Sequence, residues 1–259
     1  VTAITRYRIA PRRDVAAPRI RIAVLADLHA CTPFMDEARI ARIVDEVQAL
    51  GADVICLLGD YVGHAWASRT LKPAQVAPLL ARLTAPLGVH GVMGNHDWHD
   101  DPAAKTGRAA STTWHDGLAE AGLPPLVNAA RHLTAGGVAF TLAGLESQRA
   151  YSDDCGGDNV AAALAGTDPG RFTILLAHEP DIFPTLPDQV DLTLSGHTHA
   201  GQIRLFGRPW VVPSHHGRRY AYGHHAEGSK QLVVSAGVGN TGPPFRLFCP
   251  PELVLIEVG

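Results

Sequence analysis

Five short polar clusters in this chain offer side chains that bind divalent cations, and each stands directly after an apolar run. They are Asp27-Leu28-His29, Gly59-Asp60, Gly94-Asn95-His96-Asp97, His178 and Gly196-His197-Thr198-His199. Imidazole, carboxylate and amide oxygen suit borderline-to-hard ions such as Mn, Fe, Zn, Co or Ni, and no thiolate stands among them. Asp27, His29, Asp60, Asn95, His178, His197 and His199 are too many ligands for one tetrahedral ion. They fit two divalent metal ions that share a bridging carboxylate. Two ions roughly 3.5–4 Å apart can clamp the attacking and leaving oxygens of a phosphoryl displacement. Taken singly, each cluster has a plainer reading. Asp-Leu-His and Gly-Asp are turn signals after a strand, and His-Thr-His could line a strand end. The order and the repeated placement behind strands carry the metal reading.

The elements that position these clusters are legible in the periodicity. A strand is predicted over 21–26, followed by a helix over 35–50 whose Ile40, Ile43, Val44, Val47 and Leu50 share one face of a period of about 3.6 residues. Gly51 stands where a C-terminal cap belongs. The run 54–58 is apolar throughout, as a strand buried on both faces is. A helix over 73–83 opens with Pro73 and leads to a strand over 89–93. This alternation predicts parallel βαβ units with right-handed crossovers. Helices are expected over 112–121 and 159–164, and strands over 138–143, 172–177, 192–194, 231–235 and 253–258. In such sheets ligands bind beyond the carboxyl ends of the strands, so five separate strands would deliver the clusters to one place. One domain over 1–259 is expected, β-rich with helices outside, and residues 1–18 read as a basic N-terminal arm.

Bulk composition bounds the function. Hydrophobic residues make up 46% and charged residues 18%, a globular balance. The net charge of −3 gives no bulk attraction to nucleic acid, and neither a long basic stripe nor an aromatic stacking motif is present. No apolar run approaches a membrane-spanning length, and the start lacks a signal-peptide pattern, so the chain as given reads as soluble. Arg6, Arg8, Arg12, Arg13, Arg19 and Arg21 face only Asp14 near the N-terminus. That segment reads either as a solvated arm or as a peripheral contact with anionic lipid. Cys31, Cys56, Cys155 and Cys249 form neither a zinc-knuckle pattern nor a disulfide framework.

The five blocks together resemble the signature of the calcineurin-like phosphoesterases (metallophosphoesterase superfamily). His178-Glu179-Pro180-Asp181, the run 192–199, Tyr220-Ala221-Tyr222-Gly223 and Pro250-Pro251-Glu252 extend the resemblance to a bacterial branch of phosphohydrolases. That branch includes enzymes that cleave UDP-2,3-diacylglucosamine. The resemblance implies an α/β (α+β) fold, a four-layer αββα sandwich of two central mixed β-sheets flanked by helices. It implies one ion on Asp27, His29, Asp60 and His199, and the other on Asp60, Asn95, His178 and His197. His96 would face the substrate and donate a proton or hydrogen bond to the ester, with Asp97 fixing its orientation. The expected substrate is a small-molecule or lipid phosphoester, including a nucleotide-sugar pyrophosphate. The location is open between the cytoplasm and a membrane-associated place at the bacterial cell envelope. A water shared between the ions would lose a proton near neutral pH and attack phosphorus in line.

Some signals point elsewhere. Gly237-Val238-Gly239-Asn240-Thr241-Gly242 matches a dinucleotide fingerprint, but Pro243-Pro244 follows where a helix should start, so a loop is expected. Arg204, Arg208, Arg218 and Arg219 with Tyr220 and Tyr222 read equally as a phosphate-binding patch or as solvated loop residues. His215-His216 reads as a surface loop. Ala200 and Cys31 depart from the family pattern without removing a ligand. The rival function is a non-catalytic scaffold of the same fold that binds a protein partner. Such a chain is expected to have lost ligands, and none is lost here.

Overall fold

Nearly every residue of the apolar runs is buried, so their backbones are satisfied only by pairing with neighbouring strands. The structure, a computed structural model, describes residues 2–101, 104 and 109–259. Its strands are β1 (Ala3–Ile9), β2 (Ile20–Leu25), β3 (Cys31–Thr32), β4 (Val54–Leu57), β5 (Arg69–Thr70), β6 (Val89–Gly91), β7 (Ala129–Ala135), β8 (Val138–Gly144), β9 (Phe172–Leu176), β10 (Leu192–Ser195), β11 (Arg204–Leu205), β12 (Arg208–Pro209), β13 (Gly223–Glu227), β14 (Lys230–Val234) and β15 (Glu252–Val258). Its α-helices are α1 (Glu37–Ala49), α2 (Pro73–Leu80), α3 (Asn95–His99), α4 (Thr113–Glu120) and α5 (Val160–Ala163).

Two mixed sheets carry the fold, one ordered β1-β15-β2-β4-β6 and the other β13-β14-β10-β9-β8-β7. Strands β2, β4 and β6 run parallel in the first, and β8, β9, β10 and β14 in the second. The sheets face each other across Val24, Cys56, Leu58 and Val92 on one side and Phe140, Ile174, Leu194 and Val233 on the other. Helices α1, α2 and α4 cover the first sheet through Ile40, Val44, Leu80, Trp114 and Leu118. The second sheet is covered by α5 and a 3-10 turn, Pro180–Thr185, around Phe183. The order is helix, sheet, sheet, helix. The apolar stripe of α1 forms as its spacing predicts, and Asp36 caps it by accepting from the Arg39 N–H at 2.8 Å.

The basic N-terminal segment differs from a solvated arm. Residues 3–9 form the edge strand β1, paired in parallel with β15, with Arg6 and Arg8 outward and Tyr7 and Ile9 inward. Beyond it, Arg13 reaches the second sheet and grips the carboxylate of Asp191, with Nε at 2.9 Å from Oδ1 and Nη2 at 2.7 Å from Oδ2. Asp191 is fully buried and also accepts the Thr173 N–H at 2.8 Å. Removing Arg13 would strand that charge. Arg13→Ala is therefore expected to destabilise the fold by about 3–5 kcal/mol, read as a shift in urea midpoint at unchanged m-value. A shift under about 0.5 kcal/mol would show that the clamp contributes nothing. Strands β7 and β13 were also not anticipated, since Ala129–Ala135 and Gly223–Glu227 lie at sheet edges and carry no sustained apolar alternation.

Candidate metal centre

All five clusters sit at carboxyl ends of parallel strands: β2, β4 and β6 of one sheet and β9 and β10 of the other. Because the sheets pack face to face, these ends meet at one edge. The backbone there is bent hard. Asp27, His29, Asp60, His197 and His199 all adopt positive φ, between 49° and 69°. For non-glycine residues this conformation costs about 1–2 kcal/mol each, and such strain gathers at functional sites. Glycine is required where the chain passes a carboxylate. A Cβ on Gly94 would stand 2.2 Å from Asp60 Oδ1, and one on Gly237 2.6 Å from Asp27 Cβ. The glycine-rich loop after β14 is thus a loop as expected, and its use is close approach to Asp27.

The donor atoms of Asp27, His29, Asp60 and His199 lie within 4.8 Å of one another, and so do those of Asp60, His178 and His197. Asp60 belongs to both groups. Its Oδ2 is 3.5 Å from His29 Nε2 and 3.3 Å from His178 Nε2, while Oδ1 accepts the His96 N–H at 2.9 Å. Asn95 opens α3 at the same edge and is buried. Backbone carbonyls fix three of the rings. His29 Nδ1 faces Val62 O at 3.1 Å, His178 Nδ1 faces Leu58 O at 2.6 Å, and His197 Nε2 faces Pro213 O at 2.8 Å. A ring nitrogen that faces a carbonyl donates to it, so in His29 and His178 the second nitrogen, Nε2, is the one turned toward Asp60, as ligating imidazoles are oriented. His199 differs, because its Nδ1 meets the guanidinium of Arg246 at 3.1 Å instead of an acceptor.

The residues fit divalent cations. Among the described residues Asp27 Oδ2 and Asn95 Oδ1 are buried with no hydrogen-bond partner, and His29 Nε2 lies 3.0 Å from His199 Nε2. Orphaned buried acceptors and facing ring nitrogens are costly unless something electropositive joins them. Burial drives His29 down to about 3 and holds His197 and His199 well below the ordinary imidazole range, so these rings are in the neutral, ligating form. Burial lifts Asp27 to about 7. It works the same way on Asp60, but the His178 charge holds that carboxyl well below its usual range. Burial works to lower His178, and Asp60 in turn raises it.

His96 lies beside this cluster, its ring edge-on to His29 at 5.2 Å. The expectation that Asp97 orients it is corrected by the structure. His96 Nδ1 pairs with Asp100 Oδ2 at 2.7 Å. Asp97 turns away and accepts the backbone N–H groups of Asp60, Tyr61, Val62 and Gly94 at 2.8–3.0 Å. The reason is helical geometry: adjacent residues on α3 diverge by about 100°, whereas residues four apart share a face. Burial alone would lower His96, but the Asp60 charge and the bond to Asp100 outweigh it and raise it to about 9. Asp100 also pairs with the half-exposed His64 at 2.8 Å.

Three further residues reach the centre that sequence reasoning missed. Asp100 had a signal in its i+4 spacing from His96. Arg149 and Arg246 had none; their guanidinium groups stand 3.2 Å from His197 Nε2 and 3.1 Å from His199 Nδ1. The arginine and tyrosine stretch instead holds loops together. Arg219 and Tyr220 both bind Glu227, Tyr222 binds Glu252, and Arg204 stacks on Tyr222. His215 and His216 are exposed on a loop tied to Asp181.

Two sheets presenting buried Asp, Asn and His donors at one edge define a metal-dependent hydrolase. Residues 20–201 match the calcineurin-like phosphoesterase family, and the chain belongs to it. It is a metal-dependent phosphoester hydrolase of that family, whose members use divalent ions. Phosphodiesterase YaeI of Escherichia coli is 29% identical over 98% of this chain and 87% of its own length. The Bacillus subtilis metallophosphoesterase YkuE is 30% identical over 92% of this chain and 78% of its own. A Caenorhabditis elegans chain, F40B5.2, assigned to the metallophosphoesterases, is 31% identical over 92% of this chain, which spans 48% of that longer protein. Among the described residues no helix is long and apolar enough to cross a membrane.

Proposed function

We propose that the protein hydrolyses a phosphodiester or phosphomonoester at a two-ion centre bridged by Asp60. Asp27, His29, Asp60 and His199 would hold one ion, and Asp60, Asn95, His178 and His197 the other. The observation that carries the reading is the double membership of Asp60, whose carboxylate stands within ligand range of both donor groups. When bound, a divalent pair activates water as the nucleophile and offsets charge on the phosphoryl oxygens. The chain's own residues do the rest. With Nδ1 engaged by Asp100, His96 keeps Nε2 free to hydrogen-bond the ester and to give its proton to the leaving oxygen. The Arg149 guanidinium, beside His197, is of the type that binds phosphoryl oxygens in a fork. The name of the Escherichia coli relative supports the diester, and the complete donor set disfavours a non-catalytic scaffold.

Metal loading tests the reading. Protein stripped by chelation and reloaded with Mn2+ is expected to bind two equivalents and to hydrolyse bis-p-nitrophenyl phosphate. At a free-ion concentration of about 100 times Kd each ion adds about 2.7 kcal/mol, or about 5–10 °C in Tm, for a chain of this size. Fewer than one equivalent bound, or silence across a monoester, diester, nucleotide-sugar and phospholipid panel, would refute it.

A further inference from the structure

Beside the metal centre lies a trough of about 480 Å3, running from His199 and Thr198 out to Ile203, Trp210, Val211 and Pro243. Its size falls within the roughly 300–1,000 Å3 of small-molecule sites. Its walls are almost wholly apolar, and its inner end abuts the candidate ligands. His199 lines it, and the carbonyl of Pro213, another wall residue, accepts from His197 Nε2 at 2.8 Å.

Two of the wall residues, Trp210 and Val211, are exposed, Trp210 at 70%. Trp66, Phe206, Phe245 and Phe248, on or next to the segments that build the trough, are exposed too, Phe248 at 76%. Backbone bonds tie their segments into one surface: Trp210 N to Ile203 O, Leu247 N to Gln202 O, Arg204 N to Leu247 O and Trp66 N to Gly242 O. Gln202 fastens the loop carrying Pro243 by donating to Thr241 O and Pro243 O. A soluble surface rarely gathers such side chains unless they meet an apolar partner. The charge of these segments adds to the case. Residues 63–72, 201–222 and 236–251 contain Arg69, Lys72, Arg204, Arg208, Arg218, Arg219 and Arg246 and no aspartate or glutamate. Glu227 pairs with Arg219, and Asp181 and Glu252 also touch these segments from outside, while Arg204 and Arg246 bond backbone carbonyls. An apolar trough beside basic segments, opening onto a phosphoester centre, complements an anionic amphiphile.

We propose that this trough is a substrate subsite for an alkyl chain, so that the enzyme acts on phosphoesters with a long apolar arm. The phosphate sits at the metal centre and the chain lies along Ile203, Trp210 and Val211. The substrate class rests on the phosphoesterase reading above; the chain-binding trough does not.

The test uses p-nitrophenyl esters of ethyl, hexyl and decyl phosphate below their micelle-forming concentrations, with the metal-loaded protein. Burying one methylene favours binding by up to about fourfold, so kcat/KM is expected to rise at least about tenfold from ethyl to decyl. The double variant Trp210→Ser, Val211→Ser alters exposed positions, so the fold is not at risk. It is expected to flatten that rise across the ethyl, hexyl and decyl series. Calorimetry supplies a readout independent of turnover: decylphosphonate should bind more tightly than methylphosphonate, and the double variant should erase the difference. A flat chain-length series with equal phosphonate affinities overturns the subsite and leaves the phosphoesterase standing. Chain-dependent phosphonate binding without any turnover does the reverse. The same decyl ester in vesicles of equal parts phosphatidylglycerol and phosphatidylcholine separates sources. A loss in Phe206→Ser, Phe248→Ser confined to the vesicle-borne ester supports a bilayer source; no such loss supports a free amphiphile.

Discussion

Asp60→Asn is expected to lower kcat/KM by at least about a thousandfold and to leave less than two equivalents of bound metal. The substitution is chosen because asparagine keeps an oxygen able to accept the His96 N–H, which Asp60 Oδ1 accepts at 2.9 Å. The turn should therefore survive. What is lost is the second anionic oxygen, Oδ2, which stands 3.5 Å from His29 Nε2 and 3.3 Å from His178 Nε2. Among the described residues Asp60 alone belongs to both donor groups; Asp27 belongs to one only. Metal analysis of the folded variant beside its activity decides the matter. A variant with wild-type metal content and turnover would remove the bridge, and with it the two-ion reading.

Two neighbouring carboxylates are expected to fail in different ways. Asp97→Asn should destabilise the fold by about 3–5 kcal/mol. Its carboxylate accepts four backbone N–H groups, and an amide nitrogen in place of one oxygen leaves buried donors facing a donor. Asp100→Asn should leave stability within about 1 kcal/mol, because Asp100 is only partly buried and serves side chains alone. Its effect falls on turnover instead, a loss of about 10–100-fold in kcat with metal content intact, as for other residues that orient a reacting ring. The pH profile carries the sign. The bond to Asp100 raises His96, so breaking it lowers that pKa, and a protonated His96 acting as acid is lost at lower pH. The alkaline limb of kcat should move down in pH in Asp100→Asn and recover in Asp100→Glu. Normal kcat and an unmoved limb in Asp100→Asn, with a stable but inactive Asp97→Asn, would return the orienting role to Asp97.

The error over Asp97 shows where reading a chain stops. Gly94-Asn95-His96-Asp97 suggests that neighbours in sequence cooperate, but the turn of α3 separates them and brings Asp100 alongside His96. Arg149 and Arg246 arrive from loops 48 and 47 residues from the histidines they touch. The trough likewise exists only because Gln202 and Leu247 pair two remote loops. Edge strands β1, β7 and β13 were invisible for a related reason: an edge is half solvated and leaves no continuous apolar run.

By itself the sequence determined the α/β alternation and the donor clusters, because each is local. A buried strand must be apolar, and its ligands must follow within a few residues of its end. Tertiary structure alone decided which acid pairs with His96 and what surrounds the centre. Those depend on how two sheets and their loops pack, and packing joins residues whose separation along the chain carries no signal.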